Sequence, residues 1–205
     1  RASVPMWLLG RYIKENTNDI VLFSGEGADE LFCGYLYFHY SPSYEDLIQE
    51  RQRLFNNMYK YDCLRADRCI SSHGLELRVP FLDKDIINHA FSLEPSLLCP
   101  KNNRNIEKFY IRNSFTDDYL PNDILWRRKD GFSDGVTSVK NSPWYSYYET
   151  LKDWDKKYVS KEAQTYKEIY NNIFGAIDLE NPYWMPKWID TQGDPSGRKL
   201  EIFKN

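Results

Sequence analysis

The stretch SGEGADE (24–30) places Glu26, Asp29 and Glu30 within five positions and sets Gly25 and Gly27 between and beside them. Glycine in a turn permits positive φ and lets a ligand approach the backbone closely. Carboxylates repel phosphates, but they hold them through Mg²⁺, which takes one or two carboxylates plus phosphate oxygens. Asp29, on the first turn of a following helix, suits that role, and Glu26, on the turn itself, is free to act as a base. The competing role is structural: acids at a helix N-terminus stabilise it by ~0.3–1 kcal/mol through the dipole. Spacing alone favours that role for Asp29 and Glu30, whereas the glycine-flanked Glu26 is harder to explain so. The stretch is neither G-x-x-x-x-G-K-[ST] nor G-x-G-x-x-G, so it is not one of those phosphate loops.

Other charged residues offer weaker signals. Asp62 and Arg65 lie three apart on a predicted helix, which fits either a surface ion pair worth ~0.2–0.5 kcal/mol or a polar pocket. Lys129 closes the run Arg127-Arg128-Lys129 ahead of Gly131; on local grounds it reads as a solvated basic turn. Glu76 and Arg78 are placed to organise the loop before Pro80. His39, His73 and His89 are scattered and read as structural residues.

The elements that must position these groups follow from periodicity. PMWLLGRYIKEN spaces Met6, Leu9 and Ile13 as a helix does, with Pro5 in its first turn. DIVLF (19–23) is short, apolar and β-branched, which predicts a buried strand. Leu31, Phe32, Tyr35, Phe38 and His39 then recur at helical spacing. Helix, strand, glycine turn and helix make the core unit of an α/β fold with parallel strands. In such sheets ligands sit beyond the carboxyl ends of strands, where Ser24 and Gly25 fall. Residues 44 to about 70 keep a helical pattern, with Leu47, Phe55, Met58 and Tyr59 near one stripe. Gly74 ends it, Leu75, Leu77 and Val79 alternate with Glu76 and Arg78, and Asp83 caps a helix over KDIINHAFSL. CPKNNRN reads as a polar loop, IEKFYIRNSF as an amphipathic helix, DILWRR as a short helix, and YKEIYNNIF as a further helix before an irregular tail. Only one strand is convincing, and one strand cannot form a sheet, so the physics implies that the chain is part of something larger.

Composition narrows the classes. The chain has 205 residues, 41% hydrophobic and 28% charged, with a net charge of −3. That balance gives no sign of a nucleic-acid or membrane-surface partner, and no apolar stretch approaches the ~18–20 residues of a membrane span. Cys33, Cys63, Cys69 and Cys99 form no C-x-x-C pair, which argues against zinc and for reduced thiols in the cytoplasm. Aromatics reach 16%; they serve core packing or a surface that meets a partner segment.

SGEGADELFCGYLYFH resembles the synthetase-domain signature of glutamine-hydrolysing asparagine synthetases. RASVPM, YDCLRADRCISSHGLELRVPFLD, LWRRKDGFSDGV and DPSGR resemble further segments of that family, in the same order. The resemblance implies a helix-rich α/β fold: the C-terminal part of an adenine-nucleotide alpha-hydrolase-like (PP-loop ATP pyrophosphatase) domain, with few strands in this chain. It implies that residues 1–205 are a partial synthetase domain, without the family's N-terminal glutaminase domain and its S-G-G-x-D-S pyrophosphatase loop.

The chemistry implied is ATP-dependent amidation of aspartate through β-aspartyl-AMP, with ammonia drawn from glutamine and Mg²⁺ on the phosphates. By this resemblance Ser24 and Gly25 contact AMP, Glu26 takes a proton from attacking ammonia, Asp29 serves the Mg²⁺–pyrophosphate, and Lys129 neutralises phosphate charge. Asp62 and Arg65 border the substrate or phosphate pocket, and Arg1 matches an anion-binding arginine. The missing N-terminal part, or a partner chain, is then required; a homo-oligomer is compatible with the sequence. The alternative is a catalytically incomplete, partner-dependent fragment that binds nucleotide weakly or not at all.

Overall fold

The computed structural model describes residues 2–115, 119–132, 147, 150–151, 154–158, 161–176 and 185–189. The chain divides into two compact units, Arg1–Lys129 and Asp130–Asn205. In the second, the helix expected over YKEIYNNIF runs from Lys161 to Phe174. Of the irregular tail over NPYWMPKWIDTQGDPSGRK (181–199) only residues 185–189 are described, and Arg1 lies outside the described residues. Among the described residues no helix is long and apolar enough to cross a membrane.

The first unit is helix-rich α/β, as the sequence predicts. Helix α1 (Ser3–Asn16) leads into strand β1 (Val21–Phe23), the glycine turn and a single helical turn, α2 (Ala28–Leu31). A 3-10 turn over Leu36–Tyr40 follows. Then come α3 (Tyr44–Asn57) and α4 (Asp62–Ser71), separated by a 3-10 turn at Met58–Lys60. Strand β2 (Glu76–Arg78) leads to α5 (Lys84–Ser92) and the short α6 (Pro95–Leu98), α7 (Phe109–Asn113) and α8 (Asn122–Leu125).

Caps follow sequence chemistry. The Ser43 side chain accepts from the Asp46 N–H to start α3, and Asp83 accepts from the Asp85 N–H to start α5. Gly74, at φ 70, turns the chain out of α4 toward β2. The alternation around Glu76 and Arg78 proves to be a second strand. β1 and β2 pair in parallel, Val21 opposite Glu76 and Phe23 opposite Arg78.

The core sits around α2, the following 3-10 turn and α3, where Leu31, Phe38 and Leu47 are fully buried. Each such side chain is worth ~1.5–3 kcal/mol in transfer energy. α3 also buries charge: Arg51 donates to the Ala90 carbonyl and lies over the Phe91 ring, while Glu50 accepts from Tyr37 and from Arg53. Pairing of this kind is what makes buried charge tolerable.

Three expectations fail. The helix predicted across residues 31–39 breaks after Leu31, because Cys33 takes a left-handed φ of 51 and Gly34 follows. The apolar positions stay buried, but not on one helix. The strand read as buried is open on one side: Phe23 is 78% exposed, and Val21 is exposed too. The apolar face of α1 is only partly covered, leaving Leu9 and Tyr12 exposed, and Tyr59 is exposed as well.

Candidate active site

The turn after β1 is held at both ends. The Ser24 N–H donates to the Arg78 carbonyl at 2.8 Å, and the Ser24 Oγ accepts from the Glu26 N–H. The positive φ expected near Gly25 belongs instead to Gly27, at φ 92, where a Cβ would also strike Leu82 at 2.4 Å. Gly25 is exposed, and a Cβ there would meet nothing within 4 Å. The backbone surface available beside it is therefore Gly25's, since Ser24 has spent its N–H on the sheet. Asp29 follows on α2, a helix of one turn. Capping such a helix is a weak reason for three acids, and their side chains point elsewhere.

Asp29 meets two lysines. Its Oδ2 accepts from Lys129 Nζ at 2.7 Å, across 100 residues of sequence, and its Oδ1 lies 3.0 Å from Lys108 Nζ. Burial alone would raise this carboxyl, but Lys129 and Lys108 outweigh it and hold it at about 2. Gly34 makes the room: a Cβ there would lie 2.0 Å from Asp29 Oδ1 and 2.9 Å from Lys108 Cδ. The Lys129 ammonium also stands over the Tyr35 ring, 5.7 Å from its centroid.

Glu26 meets an arginine. Arg65 donates from one terminal nitrogen to Glu26 Oε1 at 2.8 Å and reaches Asp62 Oδ1 with the other at 3.1 Å. Burial raises the Glu26 carboxyl above its ordinary value despite Arg65, and it raises Asp62 likewise. Burial opposes the charge on Arg65, yet Glu26 and Asp62 more than restore it. Close by, Glu30 is buried and accepts from the Tyr35 hydroxyl. Its carboxyl is pushed above the carboxylate range by burial and by the charge of Asp62.

The sequence-predicted residues thus converge, apart from Arg1, which lies outside the described residues. Asp62 and Arg65 are joined as the helix spacing allows, but Arg65 also grips Glu26, so neither a surface pair nor a bare pocket lining describes them. Lys129 is not a solvated turn residue, since its side chain is only 18% exposed. Sequence reasoning missed Lys108, Glu30 and Tyr35 as members of the cluster. Lys108 could not have been found by pattern: it sits at φ 54 just before α7, a conformation a lysine rarely takes. Behind it, Glu107 is buried and pairs with His39 at 2.6 Å, pinning the segment that carries Lys108.

Among the described residues no group of three or more His, Cys, Asp or Glu could hold a metal on protein ligands alone. A magnesium ion bound with phosphates needs less than that. Asp29 is the carboxylate placed for it, although both its oxygens are taken here, Oδ2 by Lys129 and Oδ1 by Lys108. The arrangement therefore offers two lysines paired with one carboxylate on one side, and carboxylates around an arginine on the other.

Comparison with known proteins agrees in kind. Residues 1–52 and 40–176 match the family model described as Asparagine synthase. The chain is 44% identical over 225 aligned positions to the asparagine synthetase (glutamine-hydrolyzing) of Mesocricetus auratus, and equally to that of Mus musculus. To the Homo sapiens protein of the same name it is 43% identical. Each alignment takes in 100% of this chain and 39% of the relative, so the chain spans about two fifths of the length of these proteins. With a family model covering most of its length and relatives this similar across all of it, the chain belongs to the asparagine synthase family.

Proposed function

We propose that this chain supplies part of an ATP-dependent amidation site that converts aspartate to asparagine through β-aspartyl-AMP, with ammonia derived from glutamine. The single observation that carries the proposal is the 2.7 Å contact between Lys129 and Asp29 beside the strand-end turn. It joins the phosphate-neutralising and metal-binding roles at one place. Gly25, together with the Ser24 carbonyl, supplies backbone for the adenylate. Asp29 would hold Mg²⁺ together with the phosphates, and the ion would supply charge neutralisation there. Lys129 and Lys108 leave Asp29 for phosphate oxygens as the nucleotide arrives. In this way negative charge developing during adenylation is met by pre-placed cations.

Glu26 then accepts the proton of ammonia as the nitrogen attacks the acyl carbon, and the acyl C–O bond to phosphate breaks to release AMP. A carboxyl raised by burial is the better base for that step, and Arg65 fixes its orientation while Asp62 fixes Arg65. Arg1 is assigned to an anion of the substrate or phosphate by resemblance alone. The fold in this reading is the C-terminal part of a PP-loop ATP pyrophosphatase domain. The four cysteines, all free, accord with a reducing cytoplasmic setting.

A second reading has its own support. Among the described residues the sheet has two strands and an exposed face, which supports an incomplete, partner-dependent portion that binds nucleotide weakly. Calorimetric titration of the isolated chain with Mg·ATP separates the two. Tight binding marks a self-sufficient nucleotide site, and no binding marks a half-site. In a polypeptide of the relatives' full length, Glu26→Ala or Lys129→Ala abolishes asparagine formation. Normal turnover in both variants refutes the assignment.

A further inference from the structure

Lys108 and Lys129 come from separate segments, yet each reaches one oxygen of the same Asp29 carboxylate. Neither stands inside a regular element: Lys108 precedes α7, and Lys129 follows α8. Their spacing therefore depends on what holds these two stretches of main chain together. Arg112 lies on α7, one turn beyond Lys108, and its N–H donates to the Lys108 carbonyl at 3.0 Å. Long side chains on a helix lean back toward its N-terminus, and Arg112 Nε accordingly donates to the Glu107 carbonyl at 2.9 Å. One residue thus holds the peptide groups on both sides of Lys108.

The same guanidinium reaches the other segment. Its Nη1 donates to the Leu125 carbonyl at 2.5 Å and to the Arg127 carbonyl at 3.0 Å. Leu125 ends α8, so its carbonyl is one that a helix terminus leaves unpaired. Arg127 stands just ahead of Lys129 in the chain. A planar cation with donors in fixed directions suits such a junction, and an ammonium on a flexible stem does not. Two further contacts support it. The Phe109 and Trp126 rings meet with centroids 5.7 Å apart, joining the same segments, and the buried His39–Glu107 pair anchors the first of them.

We propose that Arg112 is a positioning residue for phosphate binding: its guanidinium fixes the Lys108 segment against the Lys129 segment, so that the two ammoniums stay together at one anion when they exchange Asp29 for phosphate oxygens. The identity of that anion rests on the amidation-site reading above; the junction itself does not. While Asp29 holds both lysines, their spacing is set twice over. Once they leave it, the junction through Arg112 is what keeps them paired. A loose junction would deprive a multiply charged ligand of one of its two cations and weaken its binding, with less effect on the chemistry that follows.

The test uses Arg112→Met and Arg112→Gln in a polypeptide of the relatives' length. Methionine loses every donor; glutamine keeps an amide on a shorter arm that serves one segment at a time. Trace acetylation with acetic anhydride, read lysine by lysine by mass spectrometry, reports the junction without nucleotide. Lys108 and Lys129 acetylate ~10-fold faster in both variants, while Lys101, held on the Ser41 carbonyl, keeps its rate. ATP–pyrophosphate exchange reports the consequence: half-saturating pyrophosphate rises ~10-fold, and the maximal rate stays within ~3-fold. The inference is overturned by unchanged acetylation of Lys108 and Lys129, or by an equal rise at Lys101. Failure of both variants to fold overturns it too, since Arg112 would then serve the fold at large. So does an unmoved half-saturation in variants that fold, given an exchange activity that Lys129→Met destroys. If acetylation shifts as expected while Lys129→Met leaves exchange untouched, the junction stands and the amidation-site reading is what falls.

Discussion

Two clusters flank one turn and are built in opposite senses. At Asp29 two lysines face one carboxylate, whose pKa falls to about 2. At Arg65 one guanidinium serves Glu26 and Asp62, with Glu30 nearby, and these carboxyls are raised. The first has surplus positive charge and suits phosphate. The second has surplus carboxylate and suits a proton acceptor. Only two residues of sequence separate Glu26 from Asp29, so burial and partner count, rather than residue type, set the two carboxyls apart.

The division can be broken most severely from either side, in a polypeptide of the relatives' length. Lys129→Met lowers asparagine formation by ~10²–10³-fold and abolishes ATP–pyrophosphate exchange to the same degree. Glu26→Gln lowers asparagine formation by ~10²–10⁴-fold while leaving exchange largely intact. Equal effects of both substitutions on exchange would merge the two clusters into one.

A smaller effect sharpens the second cluster. Arg65→Met removes the cation that opposes burial at Glu26, so its carboxyl rises further. The base limb of the pH–rate profile moves to higher pH, and the rate at neutral pH falls by roughly 10-fold. An unmoved profile would make Arg65 a packing residue only.

Stability reads the same contrast at lower amplitude. Asp29 is depressed from 3.8 to about 2, so its contribution is complete above pH 3.8 and is lost as pH falls through about 2. That contribution is about 2 kcal/mol at most, before screening by solvent. Urea midpoints of the isolated chain between pH 5 and pH 2 reveal it by difference from Asp29→Asn, which lacks the dependence. Glu30 has the opposite sign: raised in the folded state, it costs stability once pH exceeds the ordinary carboxylate value. Glu30→Gln keeps the Tyr35 contact and stabilises the chain at pH 7 by up to ~1 kcal/mol, with no gain at pH 4.

Much of this was legible in the residues. The helix–strand–turn order, the caps at Asp83 and Gly74, and the link from the acidic turn to Lys129 follow from pattern and from resemblance. What escaped was set by tertiary contact. The helix ends after Leu31, where Cys33 takes a left-handed φ and Gly34 leaves room for the Asp29 side chain, neither of which periodicity registers. The strand at Val21–Phe23 has the composition of a buried one, yet both end residues are exposed among the described residues. Lys108 entered the site through a backbone angle rather than a motif.

That angle has a practical consequence. Holding Lys108 at φ 54 costs a non-glycine residue backbone energy, of order ~1 kcal/mol. Lys108→Gly would recover much of it, offsetting the forfeited contact with Asp29. A library of variants sorted by melting temperature would therefore score position 108 as indifferent, and only a nucleotide-dependent readout would reveal what that lysine is for.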